Sequence, residues 1–167
     1  MIPRRMILMG VAGCGKSSVV AALAARIGGR YRDGDDLHPQ ANIDKMSRGE
    51  PLTDADRWPW LDLVGAALAA PEGNLIIGCS ALRRVYRERI TVAAGAPVTF
   101  LHLTGSRAVI EARMSARQGH FMPVALLDSQ FATLEVPGPE ERALSVDIDQ
   151  PMADVVAALV AQLEELP

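Results

Sequence analysis

The sequence predicts an α/β protein in which a parallel sheet carries helices on both faces, in a single domain over residues 1–167. Three observations predict it. Short strand-like runs alternate with helical segments of about ten or more residues, the pattern of βαβ units. The clearest runs, at 6–9 and 75–77, are apolar throughout, as strands covered on both faces are. The 167 residues, 49% hydrophobic and 22% charged, make one globular domain with no repeat, low-complexity tract or linker.

The elements follow in order. Residues 6–9 read as a buried strand that stops at a glycine-rich turn, residues 10–15. Residues 17–26 place Val19, Val20, Leu23 and Ala24 at helical spacing, and Gly28 and Gly29 stop the helix. Residues 31–33 form a weak strand ending in the acidic cluster 33–36, and residues 39–48 form a helix closed by Gly49. Thr53 is expected to cap a helix running to about residue 70, with Asp54 and Asp56 in its first turn. A strand follows at 75–77, then a helix over about 81–92 capped by Ser80. A strand at 98–103, helices at 107–118 and 123–134, a strand at 143–148 and an amphipathic helix at 152–166 complete the chain.

Composition excludes several function classes. Seventeen Lys and Arg against twenty Asp and Glu give a formal charge of −3, which argues against broad nucleic-acid binding. No stretch approaches the roughly 18–20 apolar residues that cross a bilayer, and no targeting segment is recognised, so the expected location is the cytoplasm. Two cysteines, Cys14 and Cys79, exclude a disulfide framework, and with His38, His102 and His120 they show no zinc-ligand spacing.

Gly10-Val11-Ala12-Gly13-Cys14-Gly15-Lys16-Ser17 matches GxxxxGK[ST] at every fixed position. The chemistry requires this arrangement. Glycines let successive backbone N–H groups turn toward phosphate oxygens, and the following helix directs its positive end at the same anion. Lys16 is expected to reach the β- and γ-phosphates, and the Ser17 hydroxyl to ligate Mg²⁺. A GTPase is disfavoured, because the letters at 42–45 have neither the order nor the place of NKxD. Asp33 and Asp35 end the second strand, on the sheet edge where open α/β folds bind ligands. One carboxylate there suits a metal ion and the other an attacking hydroxyl.

The run from Asp33 to Leu61 resembles the signature of the gluconate kinase (gluconokinase) family, DGDxLHPxxNxxKMxxGxPLxDxDRxPWL. Cys79-Ser80-Ala81-Leu82-Arg83 with Tyr86-Arg87, then Arg113, Arg117, Gly119-His120-Phe121-Met122 and Ser129-Gln130-Phe131, are similar to three further family stretches, as is 146–151. The resemblance implies a three-layer P-loop kinase fold with a five-stranded parallel sheet and a mobile lid at about 113–135. It implies ATP and Mg²⁺, and transfer of a phosphoryl group to the 6-hydroxyl of D-gluconate. Shikimate or a related sugar acid stands as an alternative acceptor, and a non-catalytic ATP-binding regulatory module as an alternative role. A homodimer is also implied, though no interface signal stands in the residues.

By the same resemblance, Lys16, Asp35, Arg113 and Arg117 are catalytic, and Asp33 joins Ser17 at the metal. Residues 10–17, including Val11, Ala12 and Cys14, together with Ser18 and Gln150, bind nucleotide. Asp35, His38, Arg57, Ser80 and Arg83 bind the acceptor, Arg83 standing where the family usually has lysine. Other residues carry structural expectations. His102 is expected to be a satisfied core or rim residue. Trp58 and Trp60 are expected to pack a helix, with Pro59 in its first turn. Lys45 and Arg48 are expected to form a solvated helix face.

Overall fold

The structure is a computed structural model and describes residues 1–116 and 124–167. The elements are β1 (Arg5–Met9), α1 (Lys16–Ile27), β2 (Arg30–Asp33), a single 3₁₀ turn (Gly34–Leu37), α2 (Gln40–Ser47), α3 (Asp54–Leu68), β3 (Leu75–Gly78), α4 (Arg84–Ala94), β4 (Thr99–Thr104), α5 (Arg107–Ala116), α6 (Val124–Thr133), β5 (Ala143–Asp147) and α7 (Met152–Glu164). The five strands pair in parallel in the order β2-β3-β1-β4-β5. Parallel pairing requires long crossovers, and the helices supply them.

The period of two along each strand sorts the core into two layers. Met6 and Leu8 of β1, with Leu101 and Leu103 of β4, face Val20, Leu23, Val155, Leu159 and Leu163 of α1 and α7. Ile7 and Met9, with Ile77 and Phe100, face Trp60, Leu61, Val64, Tyr86 and Ile90 of α3 and α4. The alternation of β1 thus feeds both faces. β2 is the exposed edge.

Three local expectations are corrected. The helix after β3 begins at Arg84, with Arg83 as its cap residue and not Ser80. Ala81 has φ +46°, a left-handed backbone that a helix cannot include. Pro59 stands in the second turn of α3, beyond the first turn, where it forgoes a ladder hydrogen bond. His102 is buried, but its Nδ1 has no partner among the described residues; burial lowers its pKa and keeps it neutral.

Two devices place the helices that carry the site. At Gly65 of α3, a Cβ would lie 2.5 Å from both the Ala93 Cβ and the Ile90 carbonyl oxygen, so only glycine lets α3 approach α4 this closely. Arg87 of α4 is 2% exposed. It donates to the carbonyls of Ala81 (2.8 Å), Leu82 (3.2 Å) and Glu135 (2.9 Å), and its Nε donates to Glu141 Oε1 (2.7 Å). One side chain therefore ties the strained loop after β3 to the end of α6 and the entry to β5. Removing one partner of such a buried pair strands the other charge. Arg87→Met is therefore expected to lose about 3–5 kcal/mol of stability, measured by urea unfolding.

Candidate active site

The loop after β1 runs into α1 through Gly15, whose φ of 96° is left-handed and whose helix has no side-chain cap. The first-turn N–H groups of α1 are thereby left for an anion. At Gly10 a Cβ would lie 2.9 Å from the Leu103 carbonyl oxygen, so glycine is required by close approach. Lys16 Nζ donates to the carbonyls of Gly10 (2.8 Å) and Val11 (3.1 Å), folding over its own loop. Ala12 N–H donates to Gln130 Oε1 at 3.0 Å. Cys14 and Cys79 are free and buried; burial raises both thiols, that of Cys79 to about 12, which suppresses thiolate chemistry.

β2 delivers the acidic turn. Asp33 pairs with Gly78 in the sheet, and its carboxylate accepts the Asp35 N–H at 2.9 Å, capping the 3₁₀ turn. A Cβ on Gly34 would meet the Gly78 carbonyl at 2.5 Å, and Trp60 Nε1–H donates to the Gly34 carbonyl at 2.8 Å. The turn is thus clamped from two sides, and Asp35 projects from it with its side chain 81% exposed. Partial enclosure by the cleft and the adjacent Asp33 charge raise the Asp35 pKa.

His38 stacks on Trp60, with ring centroids 4.1 Å apart. Its pKa is lowered by burial, so the ring is neutral near pH 7. Asn42 Nδ2 donates to the Asp56 carbonyl (3.0 Å) and lies 3.2 Å from His38 Nδ1. This assigns Nδ1 as acceptor and leaves the proton on Nε2, 3.9 Å from Asp35.

The same network locks α2 to α3. Lys45 Nζ donates to Asp56 at 2.6 Å, while Thr53 and Asp56 form the reciprocal cap expected for the start of α3. Bonds from Lys45 first, then Thr53, hold the Asp56 carboxyl down at about 2. Lys45 is therefore a paired residue rather than part of a solvated face, whereas Arg48 is exposed and pairs with Glu50.

Two cavities meet in this region. One, about 290 Å³, is lined by Lys16, Ser17, Asp33, Asp35, Ser80 and Gln130. The other, about 550 Å³, is lined by Asp35, His38, Arg57, Ser80, Tyr86 and Gln130 among others. Asp35, Ser80 and Gln130 form the shared wall. Arg57 Nη1 is 3.4 Å from Asp54 and its guanidinium lies over the Tyr86 ring. Arg83 donates to Asp54 at 2.7 Å and lies 3.6 Å from Glu135, beside the larger cavity but not among its lining residues.

Arg113 donates to the carbonyls of Ile148 and Gln150, and with Gly13, Ser18 and Met152 it lines a separate cavity of about 280 Å³. The Gln150 side chain is turned onto the Asp147 carbonyl (2.7 Å). Arg117, His120 and the centre of the expected lid lie outside the described residues.

Gln130 lies in a stretch similar to the family's, yet no role is expected of it from the sequence. Nor is a site role expected of Asp54, the carboxylate gathering Arg57, Arg83 and Tyr86. The signal for Asp54 was its place in the first turn of α3, which reads equally well as helix-dipole pairing. Among the described residues no group of three or more His, Cys, Asp or Glu forms a metal cluster, and no helix is long and apolar enough to cross a membrane.

Comparison with known proteins agrees with this geometry. The AAA domain family model matches residues 6–137. The chain is 47% identical to the gluconokinase of Gluconobacter oxydans over 148 residues, 86% of this chain and 82% of that one. It is 44% identical to the thermoresistant gluconokinase of Escherichia coli over 164 residues, 95% and 93% of the two chains. The crystal structure of a gluconokinase from Sinorhizobium meliloti superposes with a TM-score of 0.90 at 46% identity, covering 98% of this chain and 93% of that one. A shikimate kinase from Aquifex aeolicus shares the fold at 14% identity and a TM-score of 0.64. A phosphate loop facing an acidic turn across one cleft, on this sheet and with these relatives, makes the chain a member of the gluconokinase family of P-loop kinases.

Proposed function

We propose that the chain transfers the γ-phosphoryl group of ATP to the 6-hydroxyl of D-gluconate, giving 6-phospho-D-gluconate and ADP. The observation that carries this reading is one open carboxylate, Asp35, on the wall shared by the phosphate-side cavity and the larger cavity beside it. The names of the relatives support gluconate as the acceptor.

The 6-hydroxyl oxygen forms a bond to the γ-phosphorus while the bond from that phosphorus to the β,γ-bridging oxygen breaks, and ADP leaves with the electron pair. The hydroxyl proton passes to Asp35 and then to water. Lys16 and the loop amides carry the phosphate charge. Arg57, held to Asp54 by one long contact, is available to pair with the gluconate carboxylate. The neutral His38 offers its Nε2–H to a hydroxyl, and Ser80 lies on the same wall. Arg83 acts through Asp54, the carboxylate it shares with Arg57. Ser18, Gln150 and Arg113 border the nucleotide side of the loop, with Arg113 and Arg117 as the further arginines for phosphate charge.

The donor set fits Mg²⁺. Ser17 and Asp33, on one cavity wall, would supply oxygen ligands, and a phosphate-bound Mg²⁺ needs only one or two protein oxygens. Bound there, the ion neutralises charge on the phosphates.

The deciding experiment is ADP release measured with gluconate, shikimate, other sugar acids and nucleoside monophosphates as acceptors. Turnover with gluconate well above every other acceptor is expected. Equal or greater turnover with another acceptor rejects the reading, and ATP binding without acceptor-dependent ADP release indicates a regulatory module instead.

Asp35 separates function from stability. Its raised pKa means the charged form is disfavoured by folding, so its contribution to stability is full below the ordinary aspartate pKa and is lost as pH rises through the folded value. Asp35→Asn is therefore expected to raise Tm at pH 7 while lowering kcat/KM by on the order of 10²–10⁴. A destabilised variant with wild-type turnover contradicts both assignments.

A further inference from the structure

Gln130 stands where the two cavities meet. It is carried by α6, yet its Oε1 accepts from Ala12 N–H in the phosphate loop, 118 residues away in the chain. Ala12 lies between Gly10 and Gly13, among the inward-turned amides that make the loop an anion receptor. In this state two of the receptor's donors, the Ala12 amide and the Lys16 ammonium, are held from within the protein. The Ala12 amide is held by a neutral carboxamide, and Lys16 Nζ is held by the Gly10 and Val11 carbonyls.

A triphosphate must displace these partners. The lysine has a charged competitor in the phosphate, and so does the Ala12 amide, because an anionic oxygen accepts more strongly than an amide oxygen. Displacement leaves the Gln130 carboxamide with two donors and an acceptor to satisfy. Gln130 already lines the larger cavity, beside Asp35 and Ser80. A polyol hydroxyl is a partner that this cavity brings within its reach.

We propose that Gln130 is a positioning residue linking the two binding events: the terminal phosphoryl group displaces its Oε1 from the Ala12 N–H, and the freed carboxamide then hydrogen-bonds a hydroxyl of the acceptor beside Asp35. Gln130 thus holds the loop at a cost to nucleotide affinity and returns the contact to the acceptor once nucleotide is present. Triphosphate tightens acceptor binding, and by linkage the acceptor tightens triphosphate binding by the same factor. The acceptor half rests on the gluconate reading above; the exchange at Ala12 needs only a triphosphate.

The test is calorimetric titration of the full chain with the non-hydrolysable analogue AMP-PNP and Mg²⁺, titration with gluconate in the presence and absence of AMP-PNP, and steady-state kinetics with gluconate. Wild type is compared with Gln130→Ala and Gln130→Glu. Removing an internal competitor worth one hydrogen bond is expected to lower the AMP-PNP Kd of Gln130→Ala by about two- to tenfold. The same variant raises the gluconate KM and loses the tightening of gluconate by AMP-PNP that the wild type shows. Gln130→Glu keeps the acceptor atom but adds a charge that repels phosphate, and it weakens AMP-PNP binding. A residue that merely braces the fold would weaken both ligands when truncated. Unchanged or weaker AMP-PNP binding by Gln130→Ala, an unchanged gluconate KM, or no coupling in the wild type overturns the proposal. Should the wild type not phosphorylate gluconate, the acceptor assignment fails on its own, and the AMP-PNP titration still decides the exchange at Ala12.

Discussion

Parallel pairing of three strands in one register fixes everything else in this cleft. Leu8 of β1 and Asp33 of β2 both pair with Gly78 of β3, so three segments leave the sheet in a single row. The row is tightened beyond the ladder by Cys79 N–H on the Leu8 carbonyl (3.0 Å) and Gly10 N–H on the Ser80 carbonyl (3.3 Å). The phosphate loop, the acidic turn and the loop after β3 therefore rise side by side at the carboxyl edge. Gly34 marks how little slack remains, because a single added carbon would strike the backbone of β3. A one-residue slip of β2 would invert the faces of its side chains and turn the acidic pair away from the loop.

Most polar groups around the cleft are fixed, and the Asp35 carboxylate is held by none of them. His38, Asn42, Asp56, Lys45 and Thr53 satisfy one another, and Trp60 clamps both the His38 ring and the turn backbone. Arg87 does the same for the loop carrying Ala81, whose left-handed backbone is a strained state held by its surroundings. Asp33 spends one carboxylate oxygen on the turn. Among the described residues the Asp35 carboxylate accepts no hydrogen bond; it stands open in the cleft, with its charged form disfavoured. A rigid surround holding one uncompensated carboxylate is the arrangement expected of a proton acceptor.

The parts legible in the sequence were those set by local rules. The glycine loop, the apolar strands, the cap at Thr53 and the weak strand at 31–33 follow from backbone chemistry and periodicity. The β3–α4 connection was misread because Ser80 looks like a helix cap, and nothing local announces that Ala81 takes a left-handed conformation under the hold of Arg87. Pro59 misled for the same reason: local preference puts proline in a first turn, and the packing of Trp60 and Leu61 on the sheet overrides it. Lys45, Asp54 and Gln130 were hidden by distance. Arg57 apart, which sits one turn from Asp54, their partners lie 11 to 118 residues away, and only the assembled fold brings them together.

The register sets Asp35 in the cleft beside a second negative charge, and its raised pKa makes it a better proton acceptor than a free aspartate. Nuclear magnetic resonance titration of the Asp35 carboxyl carbon in the unliganded protein tests it directly. The expected midpoint lies above the ordinary aspartate value of 3.8 and moves down when Asp33 is replaced by Asn. A midpoint at or below that value, or one indifferent to Asp33, contradicts it.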